Sequence, residues 1–176
     1  MLRKIEVVPH NPNWSQLFKV EAEKIAAVLG QEVIAIHHIG STAILTLSAK
    51  PIIDLLVEVH RIEKIDDFNS AMMKLGYQPK GEYGIPGRRF FTKGGDTTRS
   101  HHVHTFQTRN PEVERHLNFR DYLIGHPDAA QAYSDLKEKL AKQFPTDIEG
   151  YQEGKRGFIE EIDCRAKAWR GRSQSL

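Results

Sequence analysis

The chain has 176 residues, 39% of them hydrophobic and 27% charged, with a net charge of +2. That length suits one domain able to bury its own core without disulfide or metal staples. The small net charge argues against a dedicated nucleic-acid binder, which needs a basic stripe, and no apolar run approaches the roughly eighteen residues of a membrane span.

The opening stretch lacks the apolar region of a signal peptide. The lone Cys164 has no second thiol for an internal disulfide or a CxxC site, so the cytoplasm is the expected location. Ile5 to Val8 alternates weakly and predicts a short edge strand ending at Pro9. Asn11-Pro12 then starts a helix with Trp14, Leu17, Phe18, Ile25, Val28 and Leu29 at helical spacing, and Gly30 ends it. Trp14 is expected to pack in the core. The β-branched run Val33 to Ile39 predicts a strand, with His37 and His38 on opposite faces, one packing inward and the other able to reach a site.

A Gly-Ser turn follows that strand. Gly40 lets backbone pass close to a ligand, while Ser41 and Thr42 can offer hydroxyls or N–H groups to phosphate. Lys50-Pro51 then opens an apolar strand, Ile52 to Val57, that carries Asp54. An ionised carboxylate in such a run is costly to bury unless a cation or donors compensate it. Asp54 is therefore expected at an open strand end, facing a metal or a basic partner.

Ile65 to Leu75 predicts a helix closed by Gly76, and Tyr77 to Tyr83 a strand broken by Gly84, Pro86 and Gly87. Arg88 to Lys93 and His101 to Phe106 predict two more strands around a Gly94-Gly95-Asp96 turn. Period two puts His102 and His104 on one face, where two imidazoles can share a metal or an anion. Donation to phosphate and proton shuttling fit the same spacing.

The last seventy residues are helical. Helices are expected from Asn110-Pro111 to Gly125, from His126-Pro127 to Phe144, and from Asp147 to Trp169, the last weakened by Gly150, Gly154 and Gly157. Arg120 lies beside the apolar stripe of the first and calls for a carboxylate or phosphate partner. Lys155 is expected to be solvated. One domain over 1–170 is predicted, with an α/β core over 1–108, a helical part over 109–170, and a disordered tail over 171–176.

Gly-Ser followed about a dozen residues on by a strand-borne acid resembles the nucleotidyltransferase signature. Taken together the blocks resemble the GrpB family, one branch of which is fused to dephospho-CoA kinase. The likeness runs from Val8-Pro9-His10-Asn11-Pro12-Asn13-Trp14 to Trp169. It rests on His38-Ile39-Gly40-Ser41-Thr42-Ala43, Ala49-Lys50-Pro51-Ile52-Ile53-Asp54, His102-Val103-His104, Phe119-Arg120-Asp121-Tyr122-Leu123, His126-Pro127 and the run Tyr133, Leu136-Lys137, Leu140-Ala141.

The resemblance implies a nucleotidyltransferase-like α/β (α+β) fold: a mixed sheet with flanking helices and a helical C-terminal part. Two departures stand out. Leu45-Thr46 replaces the family's usual Pro-Gly, and Leu56 occupies the place where active nucleotidyltransferases carry a second acid. Two-metal chemistry needs several anionic ligands, and Glu58 lies about 13 Å further along the strand.

A nucleotide or phosphorylated small molecule is thus the expected partner. Gly40, Ser41 and Thr42 would sit on its phosphates, with Lys50 or Arg120 as counter-charges, and Asp54, His102 and His104 on a divalent ion (Mg, Mn or Zn). Nucleotidyl transfer with Asp54 as the catalytic acid residue, a non-catalytic module binding a nucleotide or CoA precursor, and a metal-dependent phosphoester hydrolase are the three functions this pattern allows.

Overall fold

A computed structural model describes residues 4–175. Helix α1 (Trp14–Leu29) buries Trp14, Ile25 and Leu29 on one stripe and stops at Gly30, whose positive φ turns the chain. Strand β1 (Val33–Ile39) follows. A single tight turn, Ser41–Ala43, and an irregular loop then lead to β2 (Ile53–Val59). The Leu45-Thr46 departure leaves Leu45 exposed, while Ile44 and Leu47 anchor the loop in the core.

The predicted 65–75 helix is shorter than its spacing suggested. Ile62–Phe68 is wound as a 3₁₀ segment, and only α2 (Asn69–Lys74) is α-helical. Strand β3 (Tyr77–Pro79) ends before Tyr83, because Gly81, Gly84 and Gly87 carry the chain round into β4 (Arg88–Lys93). Strand β5 (His101–Gln107) completes a sheet of order β1-β2-β5-β4-β3. Only the central β2–β5 pair is parallel.

Strand β2 is covered on both sides, which explains its nearly continuous apolar run. Ile53, Leu55, Val57 and Val59 pack with α1 and α2, while Leu56 packs with Ile39, Phe106 and Val113 on the opposite face. The predicted N-terminal edge strand reduces to one bridge, Val8 to Ala49. Ile5 turns instead to Leu140 and Tyr151 of the helical part.

Three helices cover the second face: α3 (Pro111–Gly125), α4 (Pro127–Gln143) and α5 (Ile148–Ser173). Asn110 Oδ1 caps α3 by accepting from Glu112 N–H at 2.9 Å, with Pro111 in the first turn. Helix α5 does not break at its glycines. A Cβ at Gly150 or Gly154 would lie 2.7 Å from Phe144 or 2.5 Å from Leu140, so these glycines let α5 pack closely against α4 and the segment after it. The helix also continues through residues 171–173, which were expected in a disordered tail. Arg170 ties this end to Asn118 and Asp121 of α3. Leu176 lies outside the described residues. Among the described residues, no helix is long and apolar enough to cross a membrane.

Candidate functional site

In a parallel ladder, paired residues point to the same face. The β2–β5 register sets Asp54 opposite His102 and Leu56 opposite His104, so Asp54 and both imidazoles share one side of the sheet. Asp54 Oδ1 accepts from His102 Nδ1 at 3.2 Å and from His104 Nε2 at 3.3 Å. Burial pushes this carboxyl up, but the two histidines outweigh it and hold it well below the usual carboxylate range. The acid expected at an open strand end facing a basic partner has two such partners.

Gly40 packs directly on this carboxylate. It sits at φ +70°, and a Cβ there would come within 2.8 Å of Asp54 Oδ2, so only glycine meets both demands. The turn after it borders a cleft of about 300 Å³ lined by Gly40, Ser41, Thr42, Lys50, Asp54 and His102, and by residues of all three C-terminal helices. Thr42 is buried, with its hydroxyl on His38 Nε2 at 2.8 Å. His38 stacks on Phe18 of α1, and burial lowers its pKa to about 4. His37 points to the face opposite His38, the one that carries Asp54, but lies further along it against Glu58 at 3.3 Å and does not line the cleft.

Arg120 is not among the cleft's lining residues. Its guanidinium donates to the His38 carbonyl at 3.1 Å and to Asp121 at 2.9 Å, so it braces β1 against α3 rather than facing a phosphate. Three lysines border the cleft instead. Lys137 Nζ donates to Ser41 Oγ at 2.8 Å and lies over the Tyr133 ring. Lys50 and Lys155 lie over the Tyr151 ring at 4.7 and 4.6 Å. Lys155, expected in solvent, is buried. Burial lowers Lys137 to about 7 and Lys155 to about 8, with neighbouring lysine charges adding to the effect. Among the described residues, neither has a carboxylate within ion-pair distance.

Sequence spacing held a signal for both lysines. Lys137 follows Tyr133 by four residues, as Lys155 follows Tyr151, which places each ammonium on a buried helical stripe. Arg115 also lines the cleft but is held by Glu112 and Asp163. The Tyr151 hydroxyl is buried and has no hydrogen-bond partner among the described residues.

The ligand atoms of Asp54, His102 and His104 lie within 4.8 Å of one another, close enough to converge on one ion. One carboxylate and two imidazoles suit a single zinc-like ion better than a magnesium pair. Leu56, at the position of the second acid, is fully buried, and among the described residues Asp54 is the acid that lines the cleft. The second nitrogen of His104 does not suit ligation. Arg88 Nη1 donates to His104 Nδ1 at 3.3 Å, whereas a metal-bound imidazole normally donates its other N–H to an acceptor.

A family model described as GrpB protein matches residues 4–165. The UPF0157 protein YqkA of Bacillus subtilis is 49% identical over 168 residues, covering 96% of this chain; the chain spans 49% of that relative's length. A dephospho-CoA kinase of Mycolicibacterium paratuberculosis is 23% identical over 94% of this chain and 46% of its own. Conserved protein GrpB from Enterococcus faecalis superposes with a TM-score of 0.89 at 41% identity, covering 93% of this chain and 99% of that one. Terminal uridylyl transferase 4 from Trypanosoma brucei superposes with a TM-score of 0.55 at 11% identity, over 88% of this chain and 53% of that one, a likeness of fold. The nucleotidyltransferase-like mixed sheet with flanking and C-terminal helices is thus the observed architecture.

Proposed function

Because the chain belongs to the GrpB family and has a nucleotidyltransferase-like fold, we propose that its cleft binds the phosphate groups of a nucleotide or a phosphorylated small molecule. The burial of Lys137 and Lys155 without carboxylate partners carries this reading. Glu138 attracts the Lys137 charge and Asp54 that of Lys155 only from beyond ion-pair distance, so each buried ammonium stays costly, and an anion in the cleft offsets that cost. The Gly40–Thr42 turn supplies backbone N–H groups and the Ser41 hydroxyl, Lys137 and Lys155 supply charge, and Lys50 closes the same wall. Lysine suits this task as a point charge for phosphate.

The acid end of the cleft would then face the reacting phosphorus, and the reaction class is phosphoryl or nucleotidyl transfer. A binding module would hold the same ligand without consuming it, and turnover separates the two. One divalent ion on Asp54, His102 and His104 is the second reading, favoured by ligand atoms that all lie within 4.8 Å of one another.

Thermal shift of chelator-treated protein with pyrophosphate, triphosphate and nucleoside triphosphates tests the proposal. A ligand at a hundred times its dissociation constant raises apparent stability by about 2.7 kcal/mol. Lys137→Met and Lys155→Met are expected to lose this shift. Free Lys137→Met should be more stable than wild type by about 1–4 kcal/mol, as a buried charge gives way to an apolar group. No shift with any phosphate compound, or equal shifts in both variants, sinks the phosphate reading.

A further inference from the structure

The hydrogen bonds around Asp54 fix which nitrogen of each histidine carries a proton. Arg88 is buried in β4 and cannot accept a hydrogen bond. Its Nε donates to the Glu82 carbonyl at 3.1 Å and its Nη2 to the Tyr83 carbonyl at 2.7 Å, which leaves Nη1 aimed at His104 Nδ1. Nδ1 must therefore hold a lone pair, and the proton of a neutral His104 must sit on Nε2, which donates to Asp54 Oδ1. His102 meets the same carboxylate through Nδ1, so that nitrogen is its protonated one. The remaining lone pair of a neutral His102 is on Nε2, in a side chain that lines the cleft. Phe90 packs against both imidazoles, and the Arg88 guanidinium lies 4.6 Å from the Phe90 ring centroid, so the group is held as one unit.

We propose that Asp54 and His102 form a carboxylate–imidazole pair whose Nε2 is the proton acceptor of the cleft, and that Arg88, acting through His104, is the positioning residue that keeps it so. This rests on the phosphate reading above for its substrate, a phosphoanhydride, and for its co-reactant, a hydroxyl group or water. The attacking oxygen loses its proton to His102 Nε2 as it bonds to phosphorus. The bond from phosphorus to the departing phosphate breaks, and the electron pair stays on that phosphate, in the cleft that Lys137 and Lys155 line. Asp54 orients His102 and stabilises the imidazolium, which then gives its proton to solvent. His104 serves as a second donor to Asp54 instead of as a metal ligand, since ligation through Nε2 would need the proton on Nδ1, facing the Arg88 N–H.

Long-range proton–nitrogen spectra of the ¹⁵N-labelled full chain, in chelator and without phosphate, read both tautomers directly. Expected are His104 protonated on Nε2 alone and His102 on Nδ1 alone; the opposite form at either residue would overturn the proposal. Zinc is then titrated while the same signals and the heat of binding are followed. Wild type should keep the His104 Nε2 proton. Arg88→Met should bind zinc about tenfold more tightly or better, because Nδ1 is free to take the proton. Arg88→Lys, which keeps a donor and guards against misfolding of the buried methionine variant, should stay near wild type.

Loss of the His104 Nε2 proton in wild type with zinc, or equal zinc affinity in a folded Arg88→Met, would overturn the proposal in favour of a metal centre. Neither spectrum needs a phosphate ligand. Wrong tautomers therefore leave the phosphate cleft standing, whereas a missing pyrophosphate shift fails the cleft alone.

Discussion

Lys137 is 2% exposed, and burial, reinforced by the charges of Lys155 and Lys50, brings its pKa to about 7 from 10.5. Between those two values the unfolded chain binds more protons than the folded one, so this lysine makes the free protein more stable as pH rises. Bound phosphate demands the opposite protonation, with Lys137 and Lys155 both charged. Pyrophosphate affinity should therefore fall above pH 7, by up to about tenfold per pH unit for each lysine beyond its own pKa, as calorimetry at pH 6 to 9 would show. Parallel slopes for free stability and affinity would contradict this assignment. At the same scale, Asp54, His102 and Gly40 were legible because their residue types are unusual where they stand. Lys155 was less so, since a lysine on a helix is normally solvated and only its four-residue spacing from Tyr151 pointed to burial.

The turn between β1 and β2 is the element on which the site depends. Its close approach to Asp54 comes from a glycine that lacks a Cβ and occupies the left-handed region, a pairing that Gly40-Ser41 announced. Gly40→Ala is expected to destabilise the fold by about 1–3 kcal/mol in urea titration and to displace the Asp54 carboxylate. An alanine variant with unchanged stability and an unchanged His102 Nδ1–H signal would show that the turn does not brace the acid. Period two correctly put His102 and His104 on one face. The helix of α5 was misjudged at Gly150 and Gly154, because propensity counts their cost within one helix while the fold uses them for contact between neighbours.

Over the whole molecule, the helical half covers one face of the sheet and so decides both the core and the cleft. Leu56 lies under α3 with Ile39, Phe106 and Val113, which makes the missing second acid part of the packing. Leu56→Asp should therefore destabilise the protein by about 3–5 kcal/mol without creating a two-metal centre. A stable Leu56→Asp protein with new magnesium-dependent turnover would refute that account. By itself the sequence determined the order of most elements and the place of the Gly-Ser turn and the strand acid, because periodicity, caps and turn glycines act over a few residues, while the nucleotidyltransferase-like fold followed from the family resemblance. Only the tertiary structure decided which cations face the cleft, excluded Arg120 from it and brought Arg88 onto His104. Those choices depend on contacts between residues far apart in the chain, where burial and hydrogen bonding, not local preference, set the free energy.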